Sequence, residues 1–312
     1  MKLGLISAFA ETNAPLRIST TPMPVGAPML LARELGLFEK AGLRVVIKEY
    51  PLGKTALEDL SRQELDLAAA AVTPLVYRSL AGKDFRIIAN IGSSSSMVAM
   101  AARKDHGIAA VADFAGKSIG ITAGTSGEFF FDTLRVLHRI SKDSVRVEDR
   151  TVDGLLAGLQ DGSLDVISIW EPQISQLKRA LPGKLNLFYG SGLYTFSWNL
   201  VALPETIQSR RADIEKLVAV LFQAAEYIQD EPDGAEQILT QRFGEKGRDL
   251  ADHLDEATFL PNLNQTLLVQ LEAETRWIMA RDAKTNAVPN YLRSIDASIL
   301  KKVRPAAVTL IQ

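Results

Sequence analysis

Two stretches decide the fold: Leu57-Glu58-Asp59-Leu60-Ser61-Arg62-Gln63-Glu64-Leu65-Asp66-Leu67 and Leu156-Ala157-Gly158-Leu159-Gln160-Asp161-Gly162-Ser163-Leu164-Asp165-Val166. They align at a constant offset of 99 residues, Leu57, Leu60, Leu65, Asp66 and Leu67 on Leu156, Leu159, Leu164, Asp165 and Val166. Each reads as the end of a short helix, a polar turn, then Leu-Asp and a continuous apolar strand. The strands, Leu67 to Val72 and Val166 to Ile169, run toward Pro74 and Pro172. Uniformly apolar strands are those buried on both faces, as in parallel sheets.

The repeat extends upstream. Arg44 to Lys48 and Arg146 to Asp149 read as further strands, preceded by amphipathic helices over Pro28 to Lys40 and Gly127 to Ile140. Before each helix stands another strand, Leu16 to Thr20 and Ser118 to Thr122. Each half is therefore strand, helix, strand, helix, strand. That order builds a parallel sheet with helices on its faces. The fold class is α/β, with two similar lobes.

After residue 204 only helical periodicity remains, over Ala212 to Asp230, Gly234 to Arg242 and Thr266 to Ala280. This tail cannot extend a sheet and is expected to pack as a helical extension on the first lobe. Met97 to Ala102 and Trp198 to Leu203 read as two crossing strands joining the lobes, a hinge that closes over a cleft. The expected division is 15–102 with 198–312 as the first lobe and 103–197 as the second. Residues 1–14 stand apart. Leu3 to Phe9 is a short apolar run and Ala8-Phe9-Ala10 has the form of a signal cleavage site. An export-signal remnant and a disordered N-terminus both fit it.

The composition excludes several classes. Net charge is −2, which gives no basic surface for nucleic acid. No apolar run approaches the roughly 18 residues of a membrane span. The absence of cysteine removes thiol nucleophiles, disulfides and cysteine metal sites. His106, His138 and His253 lie far apart with no metal-ligand spacing. Gly53-Lys54-Thr55 follows a strand, but Lys48 stands where a phosphate loop needs its first glycine. No G-x-S-x-G occurs. No cofactor is expected.

On particular motifs the chain resembles the substrate-binding proteins of bacterial ABC importers, in the subfamily for alkanesulfonates, taurine, nitrate and thiamine-precursor pyrimidines. The motifs are Ala32 to Leu43, Leu65-Asp66, Asp113 to Gly120, Gly124-Thr125-Ser126 and Trp170-Glu171-Pro172. The resemblance implies a periplasmic binding protein fold, a periplasmic location, a permease partner in the inner membrane and a small-molecule solute as ligand. A monomer with no nucleic-acid partner and no enzymatic activity is expected. The alternative is an enzyme or sensor on the same fold, such as a pyrimidine synthase of thiamine synthesis. Those enzymes carry a cysteine-rich segment that this chain lacks.

Ligands of open α/β sheets sit beyond the C-terminal ends of the strands. That rule selects Thr21 to Gly26 (with Pro24 as the candidate), Gly53, Lys54 and Thr55, then Thr73, then Gly124 to Ser126, Asp153-Gly154, and Trp170 with Glu171. Thr125-Ser126-Gly127-Glu128 has the pattern of a capping box, and a helix start is an anion site. Trp170 is read as a flat wall, Glu171 as a partner for an ammonium or a protein cation, and Tyr194 and Trp198 as further aromatic walls. These loops contain no Arg, so a clamp of backbone N–H and hydroxyl groups is expected, which favours a sulfonate-like anion and leaves nitrate, a carboxylate or a pyrimidine open.

Overall fold

The computed structural model describes residues 14–190, 192–282 and 287–311. The proposed signal segment lies outside them. Two five-stranded sheets form the frame, each flanked by helices. The first takes β1 (Leu16–Thr20), β2 (Val45–Glu49), β3 (Leu67–Ala71) and β4 (Arg86–Ser94). Between these strands run α1 (Ala27–Glu34), α2 (Leu37–Lys40), α3 (Gly53–Ser61) and α4 (Val72–Leu80). The second sheet takes β5 (Val98–Arg103), β6 (Ser118–Ile121), β7 (Arg146–Asp149), β8 (Val166–Trp170) and β9 (Leu185–Tyr189). Its helices are α5 (Ser126–Leu137), α6 (Val152–Asp161) and α7 (Gln173–Ala180). β10 (Phe196–Ala202) returns to the first sheet. The tail carries α8 (Pro204–Ser209), α9 (Arg211–Asp230), α10 (Pro232–Phe243), α11 (Glu245–Ala251), α12 (Gln265–Asp282) and α13 (Ser298–Val303).

The sheets have one plan. Their orders are β2-β1-β3-β10-β4 and β7-β6-β8-β5-β9. In each, three parallel strands are followed by an antiparallel one, β10 or β5. The repeated Leu-Asp performs one task in both. Asp66 Oδ2 accepts the Arg17 N–H at 2.8 Å, and Asp165 Oδ2 accepts the Ser118 N–H at 2.8 Å. Each aspartate thus holds the entrance of its central strand, at the end of the sheet opposite the loops that ligands use. The motif is structural.

Three expectations change. Pro28 to Lys40 is not one helix, because Gly36 takes φ 65° and divides it into α1 and α2. That left-handed conformation costs glycine least. Neither Met97 to Ala102 nor Trp198 to Leu203 is a crossing itself: β5 pairs with β8 and β9, and β10 with β3 and β4, so the chain leaves the first sheet through the short segment 95–97 and returns between β9 and β10. The boundary expected at residue 102 therefore falls inside the second sheet.

The tail does pack on the first lobe, α9 against α1 and α13, and α12 against α4. It also reaches the second lobe. Trp277 Nε1 donates to Asp132 on α5 at 2.7 Å, and Arg281 pairs with Glu128 at 2.5 Å. On another face Arg179 of α7 makes a two-pronged pair with Asp249 at 2.8 and 3.0 Å. His253 bonds Ser175 at 2.9 Å. These are partners distant in sequence, which helical periodicity cannot announce.

Small residues decide how closely two helices approach their sheets. A Cβ on Gly53 would stand 2.7 Å from Ala70 Cα, and one on Gly127 would stand 3.0 Å from Ser168 Oγ. The run Ala68–Ala71 in β3 is therefore the floor on which the start of α3 rests. Gly53→Ala should force that start off β3 and destabilise the protein by about 1–3 kcal/mol, the usual cost of overpacking. Chemical denaturation checks this, and a loss under about 0.5 kcal/mol, the scatter of neutral surface changes, would contradict it.

Candidate functional site

The C-terminal ends of the parallel strands from both sheets converge on one cavity between the lobes. From the first lobe come Met23 after β1, Pro51 to Lys54 after β2, Ala71 and Pro74 after β3, and Phe196 and Trp198 of β10. From the second come Gly124, Thr125 and Ser126 after β6, and Trp170 closing β8. Its volume is about 40 Å³. Most of the wall is apolar. Phe196 and Trp198 stack at 6.0 Å with an interplanar angle of 17°.

The polar end is built by helix starts. α3 begins at Gly53 and α5 at Ser126, so the first N–H groups of two helices from opposite lobes open into the same space. Those groups have no acceptor within their own helices and carry the positive end of the helix dipole. Lys54 adds a cation, and no carboxylate is among the lining residues. Ser126 is 3% exposed, and its Oγ makes no well-formed hydrogen bond among the described residues, the equally unbonded Tyr194 hydroxyl being the group that approaches it. A buried hydroxyl left in that state costs free energy unless something in the cavity pairs with it.

Seven of the sequence candidates, Gly53, Lys54, Gly124, Thr125, Ser126, Trp170 and Trp198, line this cavity. The others are elsewhere. Pro24 is buried at the start of a short 3-10 turn, and its neighbour Met23 faces the cleft instead. Thr55 Oγ1 donates to Leu52 O at 2.7 Å. Thr73 Oγ1 donates to Glu274 Oε2 at 2.5 Å and does not line the cavity. Glu171 Oε2 accepts the Ser175 N–H at 3.0 Å, and its Oε1 lies 3.4 Å from His253 Nε2. Its partner is a protein side chain. Tyr194 packs its ring against Phe129 and Phe130, at 5.7 and 5.8 Å, behind the wall. Burial raises the Tyr194 hydroxyl well above its ordinary pKa, although Ser126 and Gln270 approach it. Asp153-Gly154 does not reach the cavity.

The expected capping box does not form. Thr125 is the N-cap of α5, but its hydroxyl donates to Thr122 O at 2.6 Å. Glu128 reaches past the cap to the Gly124 N–H, at 2.7 Å. The box residues hold the loop before the helix, and neither side chain takes up the N–H groups of Ser126 and Gly127 at the start of α5. Sequence reasoning missed Met23, Leu52, Pro51, Ala71, Pro74 and Phe196. Only Phe196 carried a signal, the two-residue alternation Phe196, Trp198.

A sequence profile described as NMT1/THI5 like matches residues 23–235, which takes in the whole second sheet, the first sheet except β1, and every cavity residue. The chain belongs to the NMT1/THI5-like family. Within and around it, a protein of Brucella abortus described as a candidate binding protein is 24% identical over 241 residues, 76% of this chain and 74% of that protein. The alkanesulfonate-binding protein SsuA of Xanthomonas axonopodis, solved bound to MOPS, superposes with a TM-score of 0.79 at 19% identity, over 91% of this chain and 99% of SsuA. The desulfurization enzyme DszB superposes with a TM-score of 0.67 at 16% identity, over 94% and 99% of the two chains. This NMT1/THI5-like chain thus has the two-lobe fold of periplasmic binding proteins, a fold that also carries an enzyme. No helix among the described residues is long and apolar enough to cross a membrane.

Proposed function

We propose that the protein is the solute-binding component of an ABC importer, capturing a small organic anion with an apolar body, of the sulfonate class. The observation that carries the reading is the meeting of the starts of α3 and α5, with Lys54 and the buried Ser126 hydroxyl, on one cavity whose lining holds no carboxylate. Helix N-termini, a hydroxyl donor and Lys54 surround an anionic head, and Trp170, Trp198 and Phe196 cover the body. The sulfonate-binding relative with the same fold supports that choice of head.

In this reading the lobes swing about segments 95–97 and 192–195 as the solute enters, and the closed form is delivered to a permease in the inner membrane. The protein acts as a monomer in the periplasm. Covalent chemistry has no part in it. Thr125 gives its proton to a backbone carbonyl, Ser126 has no hydrogen bond to a base, and the chain has no cysteine.

Calorimetric titration with a panel of alkanesulfonates, taurine, nitrate and carboxylates tests the proposal. A hydrogen bond to a charged group is worth about 1.5–3 kcal/mol. Ser126→Ala should therefore weaken the best ligand by roughly 10- to 150-fold with the melting temperature of the free protein no lower. Wild-type affinity in the variant would place the anionic head elsewhere.

A further inference from the structure

The cleft is divided. Outside the inner cavity lies a vestibule of about 290 Å³, lined by Leu57, Glu58, Tyr77, Ala81 and Lys83 among others. The two spaces share Lys54, Pro74 and Gly124 in their walls. Lys54 Nζ crosses between the lobes to Ala123 O, at 3.0 Å. We infer that Lys54 is a specificity-determining partition, whose side chain limits how far a bound anion can extend from the inner cavity into the vestibule. The inference rests on the anion reading of the cleft.

The chemistry of the bond supports this. Lys54 is a cation resting on a neutral carbonyl, and no carboxylate of the described residues pairs with it. An anionic head at the start of α5 is a stronger acceptor than a carbonyl. The rest of the boundary is rigid. Pro74 is fixed in the first turn of α4. The Gly124 loop is tied by Glu128, itself paired with Arg281, which also donates to Tyr77 Oη at 2.6 Å. Lys54, with four rotatable bonds, is the part of the boundary that can withdraw. While it stays on Ala123, a ligand is confined to the inner cavity, and when it leaves, the apolar surfaces of Leu57, Pro74 and Tyr77 become available to a longer chain.

Lys54→Ala is the test, read in two ways. Titration with ethanesulfonate and 1-octanesulfonate measures length selectivity. The wild type should bind the long chain about tenfold more weakly than the short one. The variant should lose that preference to within about twofold, although the lost cation weakens both. The same ratio in both proteins overturns the inference. The second readout needs no ligand. The lysine stem covers apolar surface, so its removal should raise acrylamide quenching of tryptophan fluorescence about twofold, because Trp170 and Trp198 line the inner cavity. Small-angle scattering accompanies it. More quenching at an unchanged radius supports a local partition, and unchanged quenching, or quenching that rises only with a larger radius, overturns it. If the wild type binds neither sulfonate at millimolar concentration, the anion reading fails and the quenching result alone decides the partition.

Discussion

Glu274→Gln should raise the unfolding free energy at pH 8 by about 3 kcal/mol and leave it nearly unchanged near pH 4.5. Glu274 lies on α12 with no exposed surface, and burial pushes its carboxyl up to about 7, against the bonds it accepts from Thr73 and Gln270. Those donors are neutral, at 2.5 and 3.0 Å, and Tyr194 and Tyr291 are its other titratable neighbours. The folded protein therefore holds this proton up to a higher pH than the unfolded chain does. Between the ordinary glutamate range and pH 7 the folded state binds more protons, so stability falls as pH rises through that window. Above it the whole penalty of a buried, uncompensated charge is present. A glutamine has the same shape, accepts the Thr73 hydroxyl and never ionises. Denaturant titrations of both proteins at pH 4.5, 6 and 8 check this. Parallel stability curves would mean that another cation neutralises Glu274 when the protein is folded.

Asp165→Ala should destabilise the protein by about 3 kcal/mol while leaving ligand affinity as it is. Its Oδ2 accepts the Ser118 N–H and hydroxyl, both at 2.8 Å, and Oδ1 lies 2.6 Å from His106 Nδ1. Burial alone would push this carboxyl up, and the bonds from Ser118 and His106 outweigh it and hold it below its ordinary range. Alanine leaves the Ser118 N–H unpaired where β6 begins. The cavity is at the other end of the sheet, roughly 15 Å away along a five-residue strand. Melting and calorimetry on one preparation separate the two effects. A variant of normal stability and weakened binding would turn the repeated Leu-Asp into a ligand motif.

Half of the candidate site was legible, and the other half shows where a one-dimensional rule stops. The strand-end rule finds loops but not the direction of a side chain. Neighbours in extended backbone point to opposite sides, so Trp170 faces the cavity and Glu171 turns back to Ser175 and His253. The same one-residue error exchanges Met23 for Pro24. On a helix each step turns by about 100°, which puts Lys54 in the cleft while Thr55 bonds back to Leu52. The capping pattern was correctly seen at Thr125 and wrongly wired, because Thr122 O and the Gly124 N–H compete for the same two side chains.

The sequence by itself determined the two-lobe α/β plan, because a buried parallel strand must be apolar throughout and a repeated unit repeats its pattern. It also determined the helix starts that give the cleft its positive end, since Gly53 and Gly127 are the residues a close helix-to-sheet approach demands. Only the tertiary structure decided what faces those helix starts. Lys54 meets Ala123 across 69 residues, Trp277 meets Asp132 across 145, and Arg281 meets Glu128 across 153. Such pairs are set by where two separately folded layers come to rest, and no local periodicity or propensity carries that information.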